Sequence, residues 1–104
     1  MTSLTALHDA TLQTVNFGWE TGVVRLTFEV GVASSDLAIV EAEGVTSLKC
    51  PRLYPWGPSS SVNAAAVEES VDGKLLTIEM QSGDVLEVRC REVAVNGRYN
   101  SQHK

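Results

Sequence analysis

Residues 75–91 read LLTIEMQSGDVLEVRCR, and this stretch decides the fold class. Apolar and polar residues alternate on both sides of a Ser-Gly-Asp turn signal, which is typical of a β-hairpin. Alternate side chains of a strand point to the same side, so each run has one apolar face. These faces consist of Leu76, Ile78 and Met80 in the first run and Leu86, Val88 and Cys90 in the second.

The matching of the two faces predicts how the strands pair. Residues opposite each other in a hairpin share a face, so we expect Met80 to lie opposite Leu86 and Gln81 opposite Val85. A three-residue loop, residues 82–84, then closes the hairpin with a left-handed backbone at its second or third residue.

The predicted register also sets Glu79 opposite Glu87 on the outer face. Like charges directly opposite each other are unfavourable, although the diagonal Arg89 could offset the repulsion. Two interpretations remain open: a solvated face balanced by arginine, or a pair of carboxylates that binds a cation or a basic partner.

The rest of the chain alternates in the same way. For residues 36–43, a helix capped by Ser35 or Asp36 competes with a strand, and the β-branched Ile39 and Val40 favour the strand. The sequence therefore predicts an all-β fold: an antiparallel β-sandwich or flattened barrel of about seven short strands, with little or no helix. The predicted strands are 11–17, 24–30, 37–43, 45–50, 62–71, 75–81 and 85–95.

Length and hydrophobic content indicate a single domain. The chain has 104 residues and 43% hydrophobic residues, enough for one compact core. Residues 1–7 are expected to be loosely held and residues 96–104 to form a frayed tail.

The charge balance bears on the partners. The net charge is −5, no Lys/Arg cluster stands out, and only 6% of residues are aromatic, which argues against binding of DNA or RNA. A basic protein partner fits this balance better. An edge strand of a small sheet can also pair with a second copy, so a homodimer is left open.

The sequence predicts a cytoplasmic protein without membrane contact. No apolar run approaches the roughly 18–20 residues of a membrane span, and the first residues lack the pattern of a secretory signal. The two cysteines, Cys50 and Cys90, form no CxxC motif, so we expect buried free thiols in a reducing compartment.

His8 and Asp9 are the first candidate site. Both side chains suit acid/base chemistry or metal binding, but adjacent residues on a strand point to opposite faces and make poor joint ligands. We therefore expect Asp9 to serve a turn by bonding backbone NH groups, and we predict neither a metal nor a cofactor.

The segment Tyr54-Pro55-Trp56-Gly57-Pro58-Ser59 is the second candidate. Its prolines deny it regular hydrogen bonding, and Trp56 could project as a binding anchor or fold back to plug the β-structure. Ser59 and Asn63 could line a polar pocket or form the exit of the loop. A second tryptophan, Trp19, lies in a predicted GWETG turn, where partial exposure is common.

Three blocks carry a likeness to a known family. His8-Asp9-Ala10 before an alternating strand, Pro55-Trp56-Gly57-Pro58-Ser59, and residues 79–84 (EMQSGD) resemble elements of a small bacterial all-β family of uncharacterised function. Some members of that group are classed with immunity proteins of polymorphic toxin systems. The resemblance implies a small all-β domain; it transfers no function and identifies no catalytic residue.

Two functional classes follow. The first is a non-catalytic interaction module, such as an immunity protein that binds a basic toxin. The alternative is a small-ligand or metal-assisted enzyme that uses His8, Asp9 and nearby carboxylates, although no catalytic motif is present. The predicted binding residues are His8, Asp9, Tyr54, Trp56, Ser59, Asn63, Glu79, Asp84 and Glu87.

Overall fold

The fold, given by a computed structural model, consists of two antiparallel β-sheets, and residues 2–30, 36–53 and 60–100 are described. The predicted all-β class is therefore confirmed, with nine strands among these residues in place of about seven. The strands are β1 (Thr2–Ser3), β2 (Thr11–Gly18), β3 (Val23–Val30), β4 (Asp36–Glu43), β5 (Ser47–Lys49), β6 (Val62–Ser70), β7 (Gly73–Met80), β8 (Val85–Cys90) and β9 (Glu92–Asn100).

The two sheets face each other as layers of a sandwich. One sheet has the order β1-β6-β7-β8-β5 and the other the order β2-β3-β4-β9. A single-turn 3-10 helix, Thr5–Leu7, precedes β2. Within the described residues, no helix has the length and apolar character needed to cross a membrane.

The core lies between the layers and follows the alternation of the sequence. Leu26 and Phe28 of β3 and Ile78 of β7 have no exposed surface. Full burial of such a side chain stabilises the fold by about 1.5–3 kcal/mol. Aliphatic residues supply most of the remaining core, as expected for a chain with few aromatics.

Residues 36–43 form a strand, as predicted, and the competing helix is wrong. Ala38, Val40 and Ala42 all point inward, which is the two-residue period of a strand. Along β3, Leu26 lies opposite Val40 and Phe28 opposite Ala38. Cross-strand packing of these inward side chains therefore fixes this part of the sheet.

The terminal hairpin has the predicted loop length but a different register. Ile78, not Met80, lies opposite Leu86. The Met80 N–H donates to the Asp84 carbonyl over 2.8 Å, so the three loop residues are 81–83 instead of 82–84. The left-handed position predicted for the turn is confirmed at Gly83, whose φ is 100°. A shift of two residues keeps every side chain on its face, so alternation alone could not select the register.

The predicted strand 85–95 is wrong as a single unit, because the chain changes sheets at Arg91. The Arg91 N–H donates to the Glu43 carbonyl over 2.9 Å and links the two layers. Beyond it, β9 pairs with β4 as far as Asn100, which lies opposite Asp36. Residues 96–100 are therefore part of a strand and not of a frayed tail, while residues 101–104 lie outside the described part.

The N-terminal segment is also more ordered than expected. Thr2 and Ser3 pair with β6, and the Leu4 N–H donates to the Ala65 carbonyl over 2.8 Å. Leu7 is 2% exposed and belongs to the core. Residues 2–7 thus cover an edge of the first sheet, because their apolar side chains and backbone both find partners there.

Candidate functional site

The side chains of functional interest gather at the two ends of β8, which spans roughly 20 Å. The polar end lies where β8 begins and consists of His8, Asp9, Gln81, Ser82 and Asp84. The aromatic end lies where β8 finishes and consists of Phe17, Trp19 and residues 45–48. The Thr46 N–H donates to the Arg89 carbonyl over 2.9 Å and ties the aromatic end to β8.

Two aromatic side chains are exposed to solvent at the aromatic end. Trp19 is 85% exposed and Phe17 is 39% exposed. Their ring centroids lie 5.9 Å apart at an interplanar angle of 63°, an edge-to-face contact that holds the two rings as one unit. A depression of about 410 Å³ lies between this ring pair and residues 45–48.

The turn that carries Trp19 explains its exposure. The Gly22 N–H donates to the Gly18 carbonyl over 2.9 Å, so residues 19–21 loop outward from the end of the sheet. Gly22 adopts a φ of 68°, which a residue with a Cβ rarely adopts. Its carbonyl accepts the Val45 N–H over 3.0 Å, so the turn is also joined to the segment before β5.

Two acidic residues lie at the end of the second sheet that also carries Phe17, two and three strands away from it. Glu43 and Glu92 lie directly opposite each other on β4 and β9, a like-charge pair that is unfavourable by itself. Lys74 lies 3.5 Å from Glu92 and 3.5 Å from Glu69, so one ammonium group is shared by two carboxylates. Both carboxylates, Glu69 foremost, raise the pKa of Lys74.

At the polar end, His8 and Asp9 come together, contrary to expectation. They belong to a turn and not to a strand, and Asp9 has a φ of 67°. This left-handed backbone turns the Asp9 side chain toward His8, with 3.6 Å between His8 Nε2 and Asp9 Oδ2. The other carboxylate oxygen, Oδ1, accepts a hydrogen bond from Gln81 Nε2 over 2.8 Å.

A β-bulge provides the second partner of His8. The ladder between β6 and β7 is irregular between Val62 and Ala64, where the register passes over Asn63. The Asn63 carbonyl contacts His8 Nδ1 at 2.7 Å. The bulge thus brings the backbone of Asn63, and not its side chain, into contact with His8. Asp9 lies in a turn, but its carboxylate accepts from the Gln81 side chain and not from the backbone N–H groups that we expected; its own N–H donates to the Val62 carbonyl over 2.8 Å.

Asp84 acts as a buried structural residue after the hairpin turn, in keeping with its predicted turn role. It is 6% exposed, and Ser82 beside it is 2% exposed. The Ser82 hydroxyl donates to Asp84 Oδ2 over 2.9 Å, and the Leu53 N–H donates to Oδ1 over 2.9 Å. Asp84 therefore fixes the start of the proline-rich loop to the β7–β8 turn.

The other predicted site residues fall into two groups. Tyr54, Trp56 and Ser59 lie outside the described residues. The predicted pairing of Glu79 with Glu87 is wrong, because Glu79 lies opposite Val85 and Glu87 lies opposite Thr77. The carboxylate pair proposed on that register therefore fails with it.

Sequence reasoning missed Phe17, Gln81 and the Glu43–Glu92 pair. Gln81 contacts a residue 72 positions away, and no local pattern reports such a contact. Phe17 had a usable signal: it ends a strand two residues before Trp19, and residues at that spacing share a side of an extended chain.

The two cysteines are free and far apart. Cys90 is buried, as predicted, whereas Cys50 is exposed, and that prediction is wrong. Leu48 lies opposite Val88, so Cys50 falls beside Leu86, about 13 Å along β8 from Cys90. A disulfide needs Cα atoms within about 7 Å, so these thiols cannot form one in this fold. Local burial raises the pKa of both thiols.

No family model, curated protein or solved structure matches this chain. Within the described residues, no three His, Cys, Asp or Glu side chains lie together as a metal-binding group. The candidate sites therefore rest on their own geometry: an aromatic pair in water at one end of β8 and a hydrogen-bonded polar cluster at the other.

Proposed function

We propose that this protein is a non-catalytic interaction domain whose aromatic end docks a basic protein partner. The observation that carries the proposal is the 85% exposure of Trp19 beside Phe17. Tryptophan is strongly enriched among the residues that dominate binding energy at protein interfaces. Exposed aromatic area also favours association, since burial against a partner removes it from water.

The charges around the rings support a basic partner. The Glu43–Glu92 pair would gain from a lysine or arginine placed between its carboxylates, since repulsion would become attraction. Lys74 cannot neutralise Glu69 and Glu92 together. The net charge of −5 adds a long-range attraction that accelerates encounter at low salt.

An immunity protein that binds a basic toxin is the specific form of this proposal. Such a protein needs affinity and electrostatic attraction and no catalytic group of its own. Two free cysteines that cannot pair within the fold agree with work in the cytoplasm, where thiols stay reduced. The resemblance of residues 8–10 and 79–84 to members of such a group points the same way.

The test is affinity capture from lysates of the source cells with three matched forms of the protein. These are the wild type, Trp19→Ala at the aromatic end and Leu53→Ala near the polar end. Leu53 is 80% exposed, so both substitutions remove an exposed apolar side chain at little cost in stability.

The proposal predicts one basic protein that the wild type and Leu53→Ala retain and Trp19→Ala loses. Its retention should fall as the salt concentration rises, because part of the attraction is electrostatic. Equal retention by Trp19→Ala, or loss with Leu53→Ala alone, would contradict docking at the aromatic end.

A further inference from the structure

We infer that β2 is the edge by which two copies of this chain pair, with the two β2 strands antiparallel and Asn16 opposite Asn16 of the second copy. The four-stranded sheets of the two copies then join into one sheet of eight strands around a twofold axis. This surface is separate from Trp19 and does not depend on the proposed basic partner.

Most of β2 has an unpaired edge. Its start is covered, because the Leu12 N–H donates to the Ser60 carbonyl over 2.8 Å and Thr11 bridges to Ser61. Over residues 14–17, no described segment pairs with the side of β2 that faces away from β3. Alternate residues of an edge strand point their N–H and C=O groups outward, so this stretch offers a template for a further strand.

The strand β2 lacks the features that protect the other described edges. β1 has two residues and β5 has three, while β9 includes Glu92 and Arg98 and its register with β4 shifts between Ala38 and Val40. By contrast, β2 has eight residues, of which none is charged and none is fully buried. In a chain of net charge −5, a second copy therefore meets no charge on this strand itself.

The regular part of β2 is symmetric about Asn16. A bulge interrupts the ladder with β3 between Leu12 and Thr14, and the ladder is regular from Thr14 to Gly18. Antiparallel pairing centred on Asn16 matches these five residues with the same five of the second copy. It also keeps every side chain on its face, whereas a shift by one residue would set inward side chains opposite outward ones.

The side chains agree with this register. Val15 and Phe17 lie opposite fully buried residues of β3, so both point to the core side of the sheet. Pairing centred on Asn16 places each Phe17 beside Val15 of the other copy, an aromatic–β-branched pair of the kind that stabilises sheets. The pairing ends at Gly18, so Trp19 stays exposed at its loop tip and available to another partner.

Sedimentation velocity of the full chain over a range of concentrations tests the inference, with the protein itself as the probe. A contact of five residue pairs is small for a protein interface, so we expect the wild type to dimerise with a Kd of about 10 μM to 1 mM.

Charged residues at position 16 test the register. Asn16→Glu and Asn16→Lys each set like charges opposite each other across the axis and should each weaken dimerisation at least about fivefold. An equimolar mixture of the two variants sets opposite charges there and should restore dimers. The control variant Val71→Glu adds the same charge as Asn16→Glu in the fully exposed β6–β7 turn and should dimerise like the wild type.

The dimer and the basic partner fail separately in this design. Trp19→Ala should keep the dimer and lose the basic partner, whereas Asn16→Glu should lose the dimer and keep the partner. Amide hydrogen exchange of the wild type covers any variant that does not fold. A higher protein concentration should slow exchange within residues 14–18 and leave β9 unchanged.

Four results would overturn the inference. These are a wild type that stays monomeric at about 1 mM, Asn16→Glu and Asn16→Lys variants that each dimerise as strongly as the wild type, a mixture of the two that does not recover dimers, and slowed exchange in β9 instead of β2.

Discussion

Side chains at the polar end of β8 bond to the protein itself, whereas the rings at the aromatic end face water. Asp84 is 6% exposed and accepts hydrogen bonds from Ser82 and Leu53, while Trp19 is 85% exposed. Buried polar groups with partners stabilise and position a fold, and exposed apolar groups are available to a second molecule. The difference assigns a structural role to Ser82 and Asp84 and a binding role to the aromatic end.

The largest expected difference is between the reaction rates of the two thiols, which lie toward opposite ends of β8. The exposed Cys50 should react with a thiol reagent in the folded protein, and Cys90, 5% exposed, should react at least about 100-fold more slowly because it requires local opening. Both pKa values are raised by burial, so both rates should keep rising with pH beyond the usual thiol pKa of about 8.5.

Mass spectrometry of the labelled protein at several times and pH values measures this contrast. Unfolding in denaturant should make the two rates equal. Comparable labelling of both cysteines in the native protein would show that the inward face of β8 is not closed.

Removal of the Asp84 carboxylate should lower the stability of the fold. Asp84→Ala leaves the buried Ser82 hydroxyl without this acceptor, which costs about 1–3 kcal/mol, and it also removes the hydrogen bond to the part-buried Leu53 N–H. We expect the free energy of unfolding in urea to fall by at least about 2 kcal/mol.

The matched control is Asp72→Ala, in the exposed β6–β7 turn. Its effect should stay within about 0.5 kcal/mol, as for ordinary surface substitutions. Equal effects of the two alanine substitutions would remove the distinction between the ends.

The sequence predicted the inward faces of β7 and β8 because alternation is a local property. It could not select the register of the β7–β8 hairpin, since pairing Leu86 with Met80 or with Ile78 buries the same side chains. The break at Arg91 did have a signal. In β8 the buried residues Leu86, Val88 and Cys90 fall on even positions, whereas in β9 the partly buried Val93 falls on an odd position, and this change of phase marks the passage between sheets.

The candidate sites were less predictable because they depend on distant contacts. The rule that adjacent strand residues diverge misplaced His8 and Asp9, because the left-handed backbone of Asp9 removes both from a strand. Their partner Gln81 arrives from another hairpin. The sequence predicted partial exposure of Trp19 from its position in a turn, since a ring at a loop tip has little to pack against, and Trp19 is indeed exposed.

A smaller effect is expected from the like-charge pair beside the aromatic end. Glu43→Gln removes the repulsion between Glu43 and Glu92 and should stabilise the fold by about 0.2–1 kcal/mol. The same change should weaken binding of a basic partner. Glu92→Gln should stabilise less, because it also removes a contact of Lys74.

Urea denaturation at low and high salt measures the change in the free energy of unfolding caused by Glu43→Gln. The gain from Glu43→Gln should shrink as salt screens the repulsion. A loss of stability at low salt would mean that a neighbouring cation already satisfies both carboxylates.

The fluorescence of Trp19 tests the central claim, docking at the aromatic end, most directly. The chain has two tryptophans, so Trp56→Phe leaves Trp19 as the sole indole. We expect emission and quenching typical of an indole in water for the free protein, then a blue shift and protection from quenching when the purified partner saturates it. An indole that is shielded in the free protein, or equally exposed in the saturated complex, would rule out docking at the aromatic end.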